Sequence, residues 1–310
     1  MSSTFEQFVR FTTDAAGLER TFRLFQSIAQ ILSSYTLPFE ILLISLSYFT
    51  STAAAAADPA STHAVLVSLR GQLALARRYF RLFRFLESFQ AAQKLYISLS
   101  SSSSSTKSTT SAWARTATWI DVFGRTFNGM YLLLEASAIL DAQKIPGLAV
   151  WGAELEPKVA IEGQRFWLFS LACGVLAGLV RIADLSAPPA STPVTKSADA
   201  DTDEKQGGDG DVNEKVSGGV RGVEGQDGEA QGEKQGQRKQ EAETRERRAK
   251  ISGLRRRVVA DALDITLPGS VVGWVPASTG TVGLAMFVTT ILTSIDIWER
   301  CGREIAGSGK

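Results

Sequence analysis

The chain offers few groups with which to do covalent chemistry. Its single histidine, His63, sits in a turn-like Pro/Ser/Thr stretch with no base, acid or nucleophile at a useful spacing. Cys173 lies inside an apolar run and Cys301 near the end of the chain, and with one histidine they fall short of the four ligands of a structural zinc site. Two cysteines also give no disulfide framework, which fits a reducing compartment. Gly207-Gly208-Asp209-Gly210 follows no strand, so it reads as linker and not as a phosphate cradle. These residues lead to an expectation of no catalytic, cofactor-binding or metal-binding site and no enzymatic activity.

The remaining chemistry is electrostatic and interfacial. A formal net charge of +1 gives the molecule no overall field, so attraction to an anionic partner has to come from local clusters, and nothing points to nucleic acid. The densest cluster is Arg77, Arg78, Arg81 and Arg84, within residues 69–96. At about 100° per residue, Leu75, Tyr79, Leu82, Phe83, Leu86 and Phe89 fall on one helical face, and Arg77, Arg81 and Arg84 fall opposite, with Arg78 near the boundary. An aromatic-rich apolar face opposed by arginines is the pattern of a helix lying in the membrane interface. Four arginines beside an anionic leaflet would contribute roughly 4 kcal/mol. The same pattern also fits a helix whose apolar face packs on other helices while its arginines are solvated.

The elements that must position this segment are helical. Asp14 or Thr13 can cap a helix whose Leu18, Phe22, Phe25, Ile28, Ala29 and Leu32 form an apolar stripe suited to a helical core. Residues 37–57 are apolar around Glu40 and read as a core helix, with membrane embedding as the other option. Residues 98–111 form a Ser/Thr-rich linker. Residues 119–140 make an apolar helix interrupted by Arg125, Asn128 and Glu135, which suits burial against protein.

Two runs are candidate spans. Residues 166–182 are uncharged between Arg165 and Arg181 and would cover about 26 Å, close to a hydrocarbon core of about 30 Å. Within them Gly174 and Gly178 form a small-xxx-small pair that could admit another helix at close range. The alternative is a buried helix of a soluble bundle. Residues 271–295 carry no charge, and Trp274 and Trp298 stand at interfacial positions. Between the runs, residues 187–250 are rich in Gly, Asp, Glu, Lys and Gln and are expected to be a disordered insert. A basic run follows at 245–257. The first ten residues lack the basic-then-apolar order of a signal peptide.

The order of these pieces resembles the peroxin-eleven family of peroxisomal membrane elongation and proliferation factors, in a fungal-type form. Phe8-Val9-Arg10-Phe11-Thr12 with Gly17, Arg20, Arg23 and Gln26 is similar to the family's N-terminal block. Ala76-Arg77-Arg78, Arg81-Leu82 and Arg84-Phe85-Leu86-Glu87 resemble its membrane-bending amphipathic helix. Asp261-Ala262-Leu263-Asp264, Pro268, Gly273-Trp274, Val282-Gly283-Leu284 and Ser294 resemble its closing membrane segment. The insert departs from the compact family pattern.

The expectation is an all-α, membrane-associated helical bundle with an interfacial amphipathic helix at 69–96 and one or two C-terminal spans. Its regions would be 1–97, the linker 98–111, 112–186, the insert 187–250 and 251–310. The resemblance implies residence in the peroxisomal membrane, membrane elongation ahead of fission and self-association. It also implies contact with dynamin-related fission machinery and with the import receptor for peroxisomal membrane proteins. Anionic lipids are the expected ligands of the amphipathic segment. Alternative functions are a solute pore lined by Arg125, Asn128 and Glu135, or a tether using the insert.

Overall fold

The computed structural model describes residues 3–49, 59–103, 111–145, 147–187 and 227–308, and among these every regular element is a helix. The chain divides into two compact units, one formed by Met1–Leu185 with Ile251–Lys310 and the other by Ser186–Lys250.

The first unit begins with α1 (Ser3–Thr13) and α2 (Ala15–Ser34), separated at Asp14, whose carboxylate accepts the Gly17 N–H as an N-cap. Helix α2 is the central strut, packed against α4 (Pro59–Tyr79) and α11 (Thr279–Ser308). Helix α3 (Thr36–Phe49) leaves it at a bend of 104°. Helices α5 (Arg84–Ser103) and α6 (Ala112–Ser137) pair along their length, and the short α7 (Ile139–Ala142) follows. The turn into α8 (Gly152–Ser186) is held by Asp141, which accepts the backbone N–H groups of Val150, Trp151 and Gly152. Helix α9 (Asp227–Asp264) ends in the first unit and is followed by α10 (Thr266–Val272).

Several expected boundaries move. Residues 69–96 are not one helix: α4 ends at Tyr79, and i→i−3 hydrogen bonds from Arg81, Leu82, Arg84 and Leu86 make a tight turn before α5 continues. No Gly or Pro marks that break. Part of the expected linker 98–111 is helix, since α5 runs on to Ser103, and residues 104–110 lie outside the described residues. The expected insert 187–250 contains the first two thirds of α9, from residue 227, where residues with high helix propensity and a Glu246–Lys250 pair at i,i+4 favour helix. The rest of it, 188–226, lies outside the described residues.

The last apolar run is also interrupted. Gly273 takes a left-handed φ of 82° and closes α10, and Pro276 lies in the connection. Helix α11 starts afresh at Thr279, with the Ser278 hydroxyl accepting the Thr281 N–H. The span therefore begins near 279 and not at 271. Among the described residues two helices, Gly152–Ser186 and Thr279–Gly307, are long and apolar enough to cross a membrane, and the first contains residues 166–182.

Candidate membrane face and arginine core

The first unit buries charge and exposes apolar side chains. Helix α2 buries Glu19, Arg23, Ser27 and Gln30, which recur at helical spacing, while Phe25 on the expected core stripe is exposed. The expectation for α2 holds in part: Ala29 is buried and Leu18, Phe22, Ile28 and Leu32 are half-buried, but the most buried stripe is the polar one. Helix α3 departs from its expected core role in the same way. Leu37, Ile41, Ile44 and Tyr48 are all exposed, Tyr48 to 82%. Buried polar groups and exposed large apolar ones are the informative departures from ordinary globular burial. A bundle in lipid has this arrangement, because ionisable groups there face the interior and pair with one another.

The buried charges form a network around Glu19. Its carboxylate meets Arg77 at 3.4 Å, Arg84 at 3.3 Å and Arg81 at 3.9 Å. Arg81 also donates to Glu135 at 2.9 Å and to the Tyr131 hydroxyl at 3.1 Å, and that hydroxyl donates to Glu135 at 3.0 Å. Arg77 donates to the Gln26 side-chain carbonyl at 2.7 Å. A second cluster joins three elements: Arg23 contacts Asp264 and Thr289, and Thr289 donates to Asp264 at 2.6 Å.

The protonation states follow from this packing. Burial, with Arg81 and Arg23 beside it, lowers Arg77 to about 10, so it stays cationic at neutral pH. Burial alone would lower Arg81, but Tyr131, Glu135 and Glu19 outweigh it and hold the guanidinium charged. Tyr131 is pushed up to about 12, first by burial and then by Glu135, with Arg81 opposing, and remains a neutral donor. Asp261 is raised to about 6 by burial and by Asp264, against the pull of Arg257 and Arg20.

The structure sorts the residues expected to bind membrane into three groups. Arg77 and Arg81 are interior ion-pair partners, Arg77 being only 8% exposed. Arg78 and Arg84 are partly exposed, Arg78 lying 3.9 Å from Glu135 and Arg84 bridging to Glu19 and Glu87. Of the apolar face, Tyr79, Phe83 and Leu86 project outward, Phe83 to 70%. Leu75 and Leu82 are half-buried. The Phe89 ring lies against Gly129, where a Cβ would come within 2.6 Å of it. The small-residue pair of α8 is filled from within the chain: a Cβ on Gly174 would lie 2.7 Å from the Asp261 carboxylate, and one on Gly178 would collide with Val258.

Glu19, Tyr131, Asp261 and Asp264 were not singled out as site residues from sequence. The signal that could have found the α2 face is the polar recurrence Glu19, Arg23, Ser27, Gln30, read as an inward face. The expected pore residues separate: Arg125 and Asn128 line a central cavity of about 330 Å³, and Glu135 lies outside it, held by Arg81.

An all-helical bundle with paired charges inside, apolar residues outside and two helices long enough to cross a bilayer belongs to the class of polytopic membrane proteins. The family model described as Peroxisomal biogenesis factor 11 (PEX11) matches residues 42–298, most of the chain, and the chain belongs to that family. It is a peroxisomal membrane protein involved in peroxisome proliferation, within a family of biogenesis factors and not a known enzyme family. Neither a curated protein nor a solved structure matches the chain.

Proposed function

We propose that this protein elongates the peroxisomal membrane ahead of fission by wedging apolar side chains into one leaflet. The observation that supports this reading is the outward ridge of Tyr79, Phe83 and Leu86 at the α4–α5 turn, backed by Arg77 and Arg81 locked inward on Glu19 and Glu135. Ion pairing on one side of the turn fixes the other side toward lipid. Insertion of such a ridge expands one leaflet relative to the other and favours curvature, while α8 and α11 anchor the bundle. The exposed apolar side of α3, too short to span at about 1.5 Å per residue, adds to the same wedge.

In this mechanism the electrostatic share differs from that of an isolated amphipathic helix. Anionic headgroups meet Arg78 and Arg84, whose side chains are partly exposed, while Arg77 and Arg81 keep the fold. Self-association would multiply the leaflet asymmetry. The fission machinery of the dynamin-related class and the membrane-protein import receptor are the proposed partners, on the strength of family membership.

A solute pore is the second reading, favoured by the polar cavity that Arg125 and Asn128 line, and conductance across reconstituted bilayers distinguishes it. For the leading reading, the test is peroxisome length in cells producing the Phe83→Ser, Leu86→Ser variant. Elongation should be lost while the protein still reaches peroxisomes. Elongation at the parent level would remove the wedge.

A further inference from the structure

Six arginines, Arg20, Arg23, Arg77, Arg81, Arg84 and Arg125, line the central cavity of about 330 Å³. Their pairing is unequal. Glu19 takes Arg77, Arg81 and Arg84, Arg81 is held as well by Glu135 and Arg84 by Glu87, Asp264 takes Arg23, and Asp261 lines the same cavity. Among the described residues, Arg20 and Arg125 have no carboxylate within ion-pairing distance. The buried Nε atoms of Arg23 and Arg77 have no hydrogen-bond partner either. Six guanidinium groups against the carboxylates of Glu19, Glu87, Asp261 and Asp264, with N–H donors left unanswered, make an interior that an entering anion would relieve. Guanidinium groups match phosphate oxygens in both charge and planar donor geometry.

A second cavity has the opposite character. Phe11 of α1, Leu24 of α2 and Ile291, Ile295 and Trp298 of α11 line an open apolar slot of about 300 Å³. Arg20 lines both this slot and the arginine chamber. A charged chamber and an apolar slot that share Arg20 match an amphiphile with an anionic head and a hydrocarbon tail.

We propose that the two cavities together bind one anionic phospholipid, with its phosphate held by Arg20 and Arg125 and an acyl chain laid in the slot beside Leu24 and Trp298. The site is separate from the outward ridge at Phe83 and does not depend on the wedge. A bound lipid would offset the charge surplus of the core and tie α1, α2, α6 and α11 together.

The test is calorimetric titration of the full-length protein, in an uncharged detergent, with dihexanoyl phosphatidate, dihexanoyl phosphatidylcholine and inorganic phosphate. Phosphatidate should bind saturably, one per chain, at least tenfold more tightly than either of the others. Arg20→Gln with Arg125→Gln should weaken it at least tenfold. Leu24→Trp, which fills the slot, should weaken phosphatidate and leave any phosphate binding unchanged. Should the double variant fail to fold, Arg125→Gln alone keeps the comparison, since its side chain supports no ion pair. Phosphate binding as tightly as phosphatidate would overturn the lipid and leave a free oxyanion as the ligand. Absence of saturable phosphatidate binding, or equal binding by parent and variants, would overturn the site.

Discussion

Arg81 and Glu135 meet at 2.9 Å between the α4–α5 turn and α6, with the Tyr131 hydroxyl bonded to both. Both side chains are nearly shielded from solvent, and removing either leaves the other with only an ion-pair contact at 3.9 Å, Glu135 with Arg78 or Arg81 with Glu19. Breaking a buried pair by deleting one partner costs about 3–5 kcal/mol. Arg81→Ala should therefore lower the melting temperature of the detergent-solubilised protein sharply. Arg78→Ala removes a contact of 3.9 Å at a more exposed side chain and should cost less than about 1 kcal/mol. Equal melting of the two variants would contradict the placement of Arg81 in the core.

The pH dependence of stability should carry the signature of Asp261. Its carboxyl faces Arg257 and Asp264 from its own helix and Arg20 from α2, and it shares a chamber with Arg84 and Arg125. Its folded-state value, about 6, lies above the ordinary aspartate value of 3.8, so folding takes up protons between these limits. The contribution of this group is present below about pH 4 and is lost as pH rises through about 6. Asp261→Asn should thus melt close to the parent at pH 4 and above it at pH 7.5, as read by thermal unfolding at the two pH values. A difference that is the same at both would show that Asp261 titrates normally.

Close packing of α8 on the end of α9 should depend on glycine at 178. A Cβ there would collide with a methyl group of Val258, and β-branched side chains have little rotamer freedom with which to yield. Gly178→Val should destabilise the protein by about 1–3 kcal/mol, the usual cost of overpacking. Val258→Ala in the same chain should recover part of the loss. Additive effects in a double-mutant cycle would mean that the two residues do not touch.

The residue pattern revealed the helices better than it revealed which way they face. Asp14 as a cap, the helical spacing of α2 and the apolar run within α8 were readable because capping and periodicity are local properties. Facing was not, because the usual rule puts Phe25 inside, whereas it is exposed and Glu19 and Arg23 have partners on other helices 58 and 241 residues away. A charge that is costly to bury alone becomes an interior residue once such a partner exists, and no local pattern announces the partner. The turn after Tyr79 was hidden for a related reason, since it is made with i→i−3 hydrogen bonds by residues that also suit an unbroken helix.

The outward ridge at the α4–α5 turn makes the most direct claim on function, and liposome remodelling by the purified full-length protein measures it. Parent protein and the Phe83→Ser, Leu86→Ser variant would be reconstituted at equal protein-to-lipid ratios into vesicles containing anionic lipid and imaged by electron microscopy. Both exposed side chains lie outside the packed core, so the variant should melt within about 0.5 kcal/mol of the parent and incorporate equally. Tubules should form with the parent and be largely absent with the variant. Tubulation by the variant at the parent's level, with equal incorporation, would contradict the leaflet wedge.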